Sequence, residues 1–176
     1  MNVMDVRQQF KDLYASTEGV VGRGGATIEI LGASFLADRD TIFGGPNAAY
    51  IAQELAWYRS QSLNLSEFPG NVPNIWRTCA DALGNVNSNY GWCMDSEANG
   101  SQRRNVIEEL RRNPNSRRAC AIYNRPSMHV DATAGGKQDF MCTNAVEYFI
   151  RQGVLHCVVQ MRSSDAVLGY RNDRAW

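Results

Sequence analysis

The chain reads as an α+β domain, with helices early and a sheet late. Two observations predict this. Apolar residues recur at helical spacing up to about residue 112, and from residue 119 the pattern changes to β-rich runs bounded by turn signals. The length, 176 residues, suits one ordinary domain with a real hydrophobic core.

Residues 3–15 have the pattern of a short amphipathic helix. A Gly-rich bend follows at Val21-Gly-Arg-Gly-Gly25, then period-two alternation predicts a strand over 27–31. Between Asn47 and Gln61, the residues Ala48, Ile51, Ala52, Leu55 and Tyr58 recur at helical spacing. Another helix is expected to start near Pro73 and end before Gly84, and residues 101–112 read as an exposed, charged helix closed by Asn113-Pro-Asn115. Residues 119–123 form the next strand, ended by Arg125-Pro126, and residues 131–137 read as a flexible loop. Two β-rich runs, 140–150 and 154–162, meet at Gln152-Gly153, a hairpin candidate.

Formal charge is zero, with 18 basic and 18 acidic residues, so nothing suggests a nucleic-acid stripe or a membrane surface. Only Lys11 and Lys137 are lysines; the other basic residues are arginines, whose planar fork suits bidentate phosphate binding. The five cysteines (Cys79, Cys93, Cys120, Cys142, Cys157) are odd in number and lack CxxC spacing, which suggests neither a disulfide framework nor a zinc site. With no cationic-then-apolar leader and no membrane-length apolar run, a reduced, cytoplasmic protein is expected.

The stretch that suggests particular chemistry is Asp139-Phe-Met-Cys-Thr-Asn144, followed by Met161-Arg-Ser-Ser-Asp165 and Gly169-Tyr-Arg-Asn-Asp173. A cysteine in a strand pattern is by default a small buried hydrophobe. Arg162 changes the weighing for Cys142, because across the proposed hairpin its cation would stabilise a thiolate. Arg162-Ser163 also pairs a guanidinium with a hydroxyl, which suits a phosphate, although a salt-bridged arginine at a strand end is the usual reading of Arg162 alone. Arg117 and Arg118 would point to opposite faces of a strand, so both grip one anion only if the turn there is irregular; solvated charges are the bland alternative. Glu54 lies in an apolar helix face, either as a general acid/base adjusted by burial or as the exposed edge of that face. No HxxxH, DxD or Cys-His set occurs, and no catalytic metal is expected.

Taken in order, these residues resemble the thymidylate synthase superfamily, and within it the bacteriophage deoxycytidylate 5-hydroxymethylases. The resemblance runs through Thr27-Ile-Glu-Ile-Leu-Gly-Ala-Ser-Phe35, Glu54-Leu-Ala-Trp57, Asn87-Ser-Asn-Tyr-Gly-Trp92, Ser116-Arg-Arg118, Arg125-Pro-Ser-Met128, Asp139-Phe-Met-Cys-Thr-Asn144 and Tyr170-Arg-Asn-Asp-Arg-Ala-Trp176. It implies a mixed sheet with flanking helices, one sheet face forming the interface of a homodimer with shared active sites. It implies that Cys142 adds to C6 of a pyrimidine nucleotide and that Arg162 and Ser163 hold the 5′-phosphate. Arg117 and Arg118 would reach the phosphate in the other subunit's site. Glu54 and Tyr90 would belong to the proton-transfer and water network. Ile75, Trp76, Asp165 and Gly169 would lie along the folate site, Asp165 counting among the catalytic residues as well.

Thymidylate synthases usually carry Pro-Cys-His at the nucleophile, where Met141-Cys-Thr143 stands here, and an asparagine at the position of Asp173. A carboxylate only accepts, so Asp173 suits the N4 amino group and a protonated N3 of cytosine. The implied activity is one-carbon transfer from 5,10-methylenetetrahydrofolate, the co-substrate, to C5 of dCMP, with water addition giving 5-hydroxymethyl-dCMP. The alternatives are a CMP hydroxymethylase of a nucleoside-antibiotic pathway, a thymidylate synthase or dUMP hydroxymethylase, and a non-catalytic nucleotide- or folate-binding module. The superfamily arginine of the first Gly-rich bend aligns one residue from Arg23, and the family continues beyond Trp176 with a His-x-Tyr motif. The expectation is therefore a single thymidylate synthase-like domain over residues 1–176 that lacks the family's C-terminal segment. It would act in the cytoplasm, that of the host for a phage protein, without direct nucleic-acid or membrane contact.

Overall fold

The computed structural model describes residues 1–16, 19–22 and 25–175. Its elements are α1 (Val3–Ser16), β1 (Val20–Gly22), β2 (Gly25–Thr27), α2 (Ala48–Ser60), α3 (Asn74–Cys79), α4 (Tyr90–Asp95), α5 (Gln102–Arg112), β3 (Cys120–Ile122), α6 (Ser127–Val130), β4 (Thr143–Arg151), β5 (Val154–Met161) and α7 (Gly169–Asp173). The chain divides into two compact units, Met1–Ile51 with Asp165–Trp176, and Ala52–Ser164. None of the described helices is long and apolar enough to cross a membrane.

In the first unit, Asn2 starts α1 by accepting the Met4 and Asp5 amides on its side-chain oxygen (2.8 and 3.1 Å), satisfying donors that a helix start leaves open. The helix buries Val3 and Val6 in a core with Ile42 and Tyr170. The expected strand over 27–31 is corrected. β1 pairs with β2 only from Val20–Thr27 to Gly22–Gly25, so the partner runs out at Thr27 and residues 28–30 continue without a ladder. Ile30 packs on the core instead. Arg23, in the bend read at 21–25, lies outside the described residues.

The second unit holds the larger sheet, in the order β3-β4-β5. Its ladders are antiparallel, so the mixed pairing implied by the resemblance does not occur among the described strands. The β4–β5 hairpin turns at Gln152 (φ 52°) and Gly153 (φ 75°), the two left-handed positions a tight hairpin requires. At the other end of that ladder Thr143 pairs with Met161 and Ala145 with Gln160, leaving Asn144 as an extra residue on β4. Such a bulge bends the strand and re-aims its neighbours. The outer edge of β3 is closed by Gln102, whose amide accepts from Ile122 N–H (2.7 Å) and donates to its carbonyl (2.8 Å).

The helix expected from Pro73 runs Asn74–Cys79, ending before Gly84. One further expectation changes. Residues 131–135 form a π-helical turn after α6, with Thr133 Oγ1 donating to His129 and Val130 carbonyls (3.0 and 3.1 Å), rather than a flexible loop.

Candidate active site

The β-rich run expected over 140–150 starts later than its pattern predicts: β4 begins at Thr143, one residue past Cys142. Arg162, which follows β5, clasps the segment before β4. Its backbone N–H donates to the Cys142 carbonyl (2.9 Å), its Nε to Met141 O (2.9 Å) and its Nη2 to Phe140 O (2.6 Å). Nη2 also lies 3.9 Å from Cys142 Sγ. The half-buried thiol thus sits beside a cation at the open end of the hairpin, the setting that favours a thiolate. Ser163 follows, exposed.

The next layer comes from the segment before α4. Tyr90 OH donates to Thr143 Oγ1 (3.3 Å) and accepts the Thr143 N–H (3.4 Å), which puts a phenol against the residue after the nucleophile. Asn89 fixes where that phenol stands. Its side-chain oxygen caps α4 on Trp92 N–H (2.8 Å), while its Nδ2 donates to the carbonyls of Trp57 and Ser62 (both 2.9 Å). Gly91 permits the approach: a Cβ there would lie 1.8 Å from the Tyr58 carbonyl oxygen.

Asp139, three residues before the thiol, ties the same two segments together by accepting the amides of Asn87 (2.5 Å) and Ser88 (2.7 Å) on Oδ2. Burial pushes its carboxyl up from the usual range, and those amides pull against it. Thr143, Asn89 and Asp139 were missed as site-building residues. Asn89 and Asp139 lay inside quoted motifs, but their partners are 27 to 52 residues away in sequence.

Glu54, for which both a buried acid and an exposed edge were open, is 5% exposed on α2 beside fully buried Trp57. Trp76 stacks edge-on against Trp57, centroids 5.0 Å apart, and Ile75 next to it is 67% exposed. An apolar, open side chain beside an indole is a surface that a flat heterocycle can lie on.

Arg117 and Arg118 are not on a strand, since β3 starts at Cys120; both lie in the turn after α5, which removes the opposite-face objection. Arg118 contacts Glu109 and Ser116. Within the first unit, α7 gathers three of the named residues. Asp165 Oδ1 accepts the Val167 and Leu168 amides (2.7 and 2.8 Å), and its carbonyl accepts the Tyr170 N–H (2.8 Å). A Cβ on Gly169 would stand 3.2 Å from Asp165 Cβ and 3.5 Å from Asp173 Oδ2. Among the described residues, no three His, Cys, Asp or Glu side chains cluster as a metal ion would need.

Comparison with known proteins bears on this geometry. The family model described as thymidylate synthase matches residues 47–175. The deoxycytidylate 5-hydroxymethyltransferases of Enterobacteria phages T4 and T2 are each 48% identical to this chain over 177 aligned residues, covering 100% of it and 72% of the relative. Among solved structures, thymidylate synthase from T4 phage superposes with a TM-score of 0.65 at 18% identity, over 97% of this chain and 65% of that one. Thermostable thymidylate synthase A from Bacillus subtilis gives 0.53 at 22% identity, over 70% of this chain and 45% of that one. These two structures share the α+β fold, and the chain spans less than two thirds of either.

Proposed function

Because the chain belongs to the thymidylate synthase family, we propose that it is a folate-dependent deoxycytidylate 5-hydroxymethylase. The observation that carries the chemistry is the clasp of Arg162 on the Cys142 segment, with Nη2 at 3.9 Å from the thiol. Cys142 Sγ adds to C6 of dCMP and makes C5 nucleophilic; C5 takes the one-carbon unit and gives up its own proton, water adds its oxygen to the new carbon, and the thiolate leaves C6 as the C5–C6 double bond re-forms. When bound, 5,10-methylenetetrahydrofolate would supply that carbon, and Ile75 and Trp76, with Asp165 and Gly169, are the residues that would hold it. Tyr90, hydrogen-bonded to Thr143, and buried Glu54 hold and move the protons. Asp173 accepts from the cytosine N4 amino group, Arg162 and Ser163 take the 5′-phosphate, and Arg117 and Arg118 take it from the other subunit. The reading of cytosine is supported by the names of the phage relatives.

The second copy would sit on the sheet. β5 leaves Leu155 and Val159 exposed on one face of the sheet and Val154 and Val158 on the other, apolar surface that costs free energy in water.

The test is release of tritium from dCMP labelled at C5, with methylenetetrahydrofolate present, repeated with CMP and dUMP. Cys142→Ser is expected to abolish release while nucleotide binding persists. Near-normal turnover in that variant, or release from dUMP in preference to dCMP, refutes the proposal. Nucleotide binding without any release would make the chain a binding module.

A further inference from the structure

Helix α5 carries a buried carboxylate in an electrostatically poor place. Glu109 lies in the last turn, where the helix dipole already presents negative charge and basic residues are favoured. The surrounding contacts explain how it is tolerated. Its Oε1 accepts Ser116 Oγ–H (2.6 Å) and Arg118 Nε–H (3.2 Å), with Arg118 Nη2 at 3.1 Å, and its Oε2 accepts from Arg112. Ser116 Oγ in turn accepts the Arg118 backbone N–H (3.1 Å), and the Ser116 N–H closes the turn on Asn113 O (2.9 Å). A single carboxylate therefore folds the whole Ser116-Arg-Arg118 turn against the end of α5. These hydrogen bonds also hold its carboxyl well below the usual range, so it stays charged.

Arg118 is gripped on one edge only. Nε and Nη2 face Glu109, and the side chain remains 77% exposed, so the other edge of its planar fork is open to an anion. Arg117 has no such anchor: it is exposed, and the structure gives its side chain no ion pair among the described residues. A guanidinium already held in place loses less freedom when a ligand arrives than one that must be ordered at that moment.

Resting on the functional reading above, we propose that Glu109 is a positioning residue that presets Arg118 for the nucleotide phosphate. It never touches the substrate; it removes part of the ordering cost of the arginine that does. Removing a preset of one long side chain weakens dCMP by roughly 3- to 10-fold. If instead Glu109 merely neutralised Arg118, its removal would tighten binding.

The experiment is steady-state kinetics on Glu109→Gln, Arg118→Ala and the double variant, with the thermal midpoint of each. The expected result is a dCMP KM raised roughly 3- to 10-fold in Glu109→Gln, with kcat changed by less than about twofold. On the Arg118→Ala background, Glu109→Gln should have no further effect on KM. A purely structural role would lower kcat with the thermal midpoint and add to the Arg118→Ala defect. An unchanged or lowered KM, or an additive double variant, overturns the proposal. Should Glu109→Gln fail to fold, Glu109→Asp decides: the charge stays but the reach shortens, and an unchanged KM overturns the proposal. Wild-type protein without dCMP-dependent release would refute the functional reading itself, whereas an active wild type with an indifferent Glu109 refutes only this inference.

Discussion

Gly91 stands where the first turn of α4 meets the carbonyl of Tyr58 on α2, and Gly91→Ala tests whether that contact positions the chemistry. Judged by helix propensity alone, alanine should stabilise a helical position by about 1 kcal/mol. The geometry opposes this. A Cβ would lie 1.8 Å from the Tyr58 oxygen and 2.5 Å from its carbon, whereas real Cβ contacts essentially never fall below 3.0 Å. The helices must separate by about 1.2 Å or more, and the atoms met are backbone, which cannot rotate away. Overpacking costs about 1–3 kcal/mol, and a rigid clash of this depth belongs at the upper end. The net loss is then about 2 kcal/mol, or roughly 4–8 °C in thermal midpoint for a chain of this size. The separation also carries Tyr90, the neighbouring residue, away from Thr143 and the Cys142 segment. A displacement near 1 Å at such a group lowers turnover by about 10²-fold. Calorimetry and tritium release measure the two effects. A variant as stable as wild type, or a destabilised one with full turnover at a temperature where it is folded, refutes this reasoning.

Asp173→Asn replaces an acceptor pair with one donor and one acceptor, which matches the edge of uracil. It is expected to lose dCMP activity and gain measurable reaction with dUMP, a change in preference of roughly 10²–10⁵-fold; a variant that still prefers dCMP removes Asp173 from base reading. Mixing inactive Cys142→Ser chains with Arg118→Ala chains, at a dCMP concentration low enough that Arg118→Ala alone turns over little, should raise activity, since one hybrid site keeps both groups; no gain despite demonstrated subunit exchange counts against a shared site. Glu109 has its carboxyl lowered from 4.5 to about 2, chiefly by the Ser116 hydroxyl and then Arg112. A depressed carboxylate contributes stability that is complete above pH 4.5 and lost as pH falls toward 2. The gap in thermal midpoint between wild type and Glu109→Gln should therefore narrow over that window, and a gap constant with pH contradicts the assignment.

Local chemistry made some features legible from the sequence. Gln152-Gly153 lies between two β-rich runs, and the turn there uses left-handed backbone that glycine adopts without strain. The helices over 3–15 and 47–61 follow from apolar spacing, because one face of each must leave water. Cys142 and Arg162 stood out because motif and hairpin register together put them at the same end of one ladder. Other features depend on contacts that no local pattern encodes. Whether Glu54 is buried depends on what packs over α2, not on its neighbours in the chain. The strand expected over 27–31 stopped short because its partner β1 has only three residues. The carbonyls of residues 140–142 are met by three donors of one side chain and backbone, those of Arg162, some twenty residues on. The collar on Arg118 is a carboxylate nine residues earlier, and Asp139 holds amides some fifty residues away. Periodicity reports which face of an element is apolar, whereas a buried polar group takes whichever donors the folded chain brings within hydrogen-bond reach, and only the tertiary structure decides which those are.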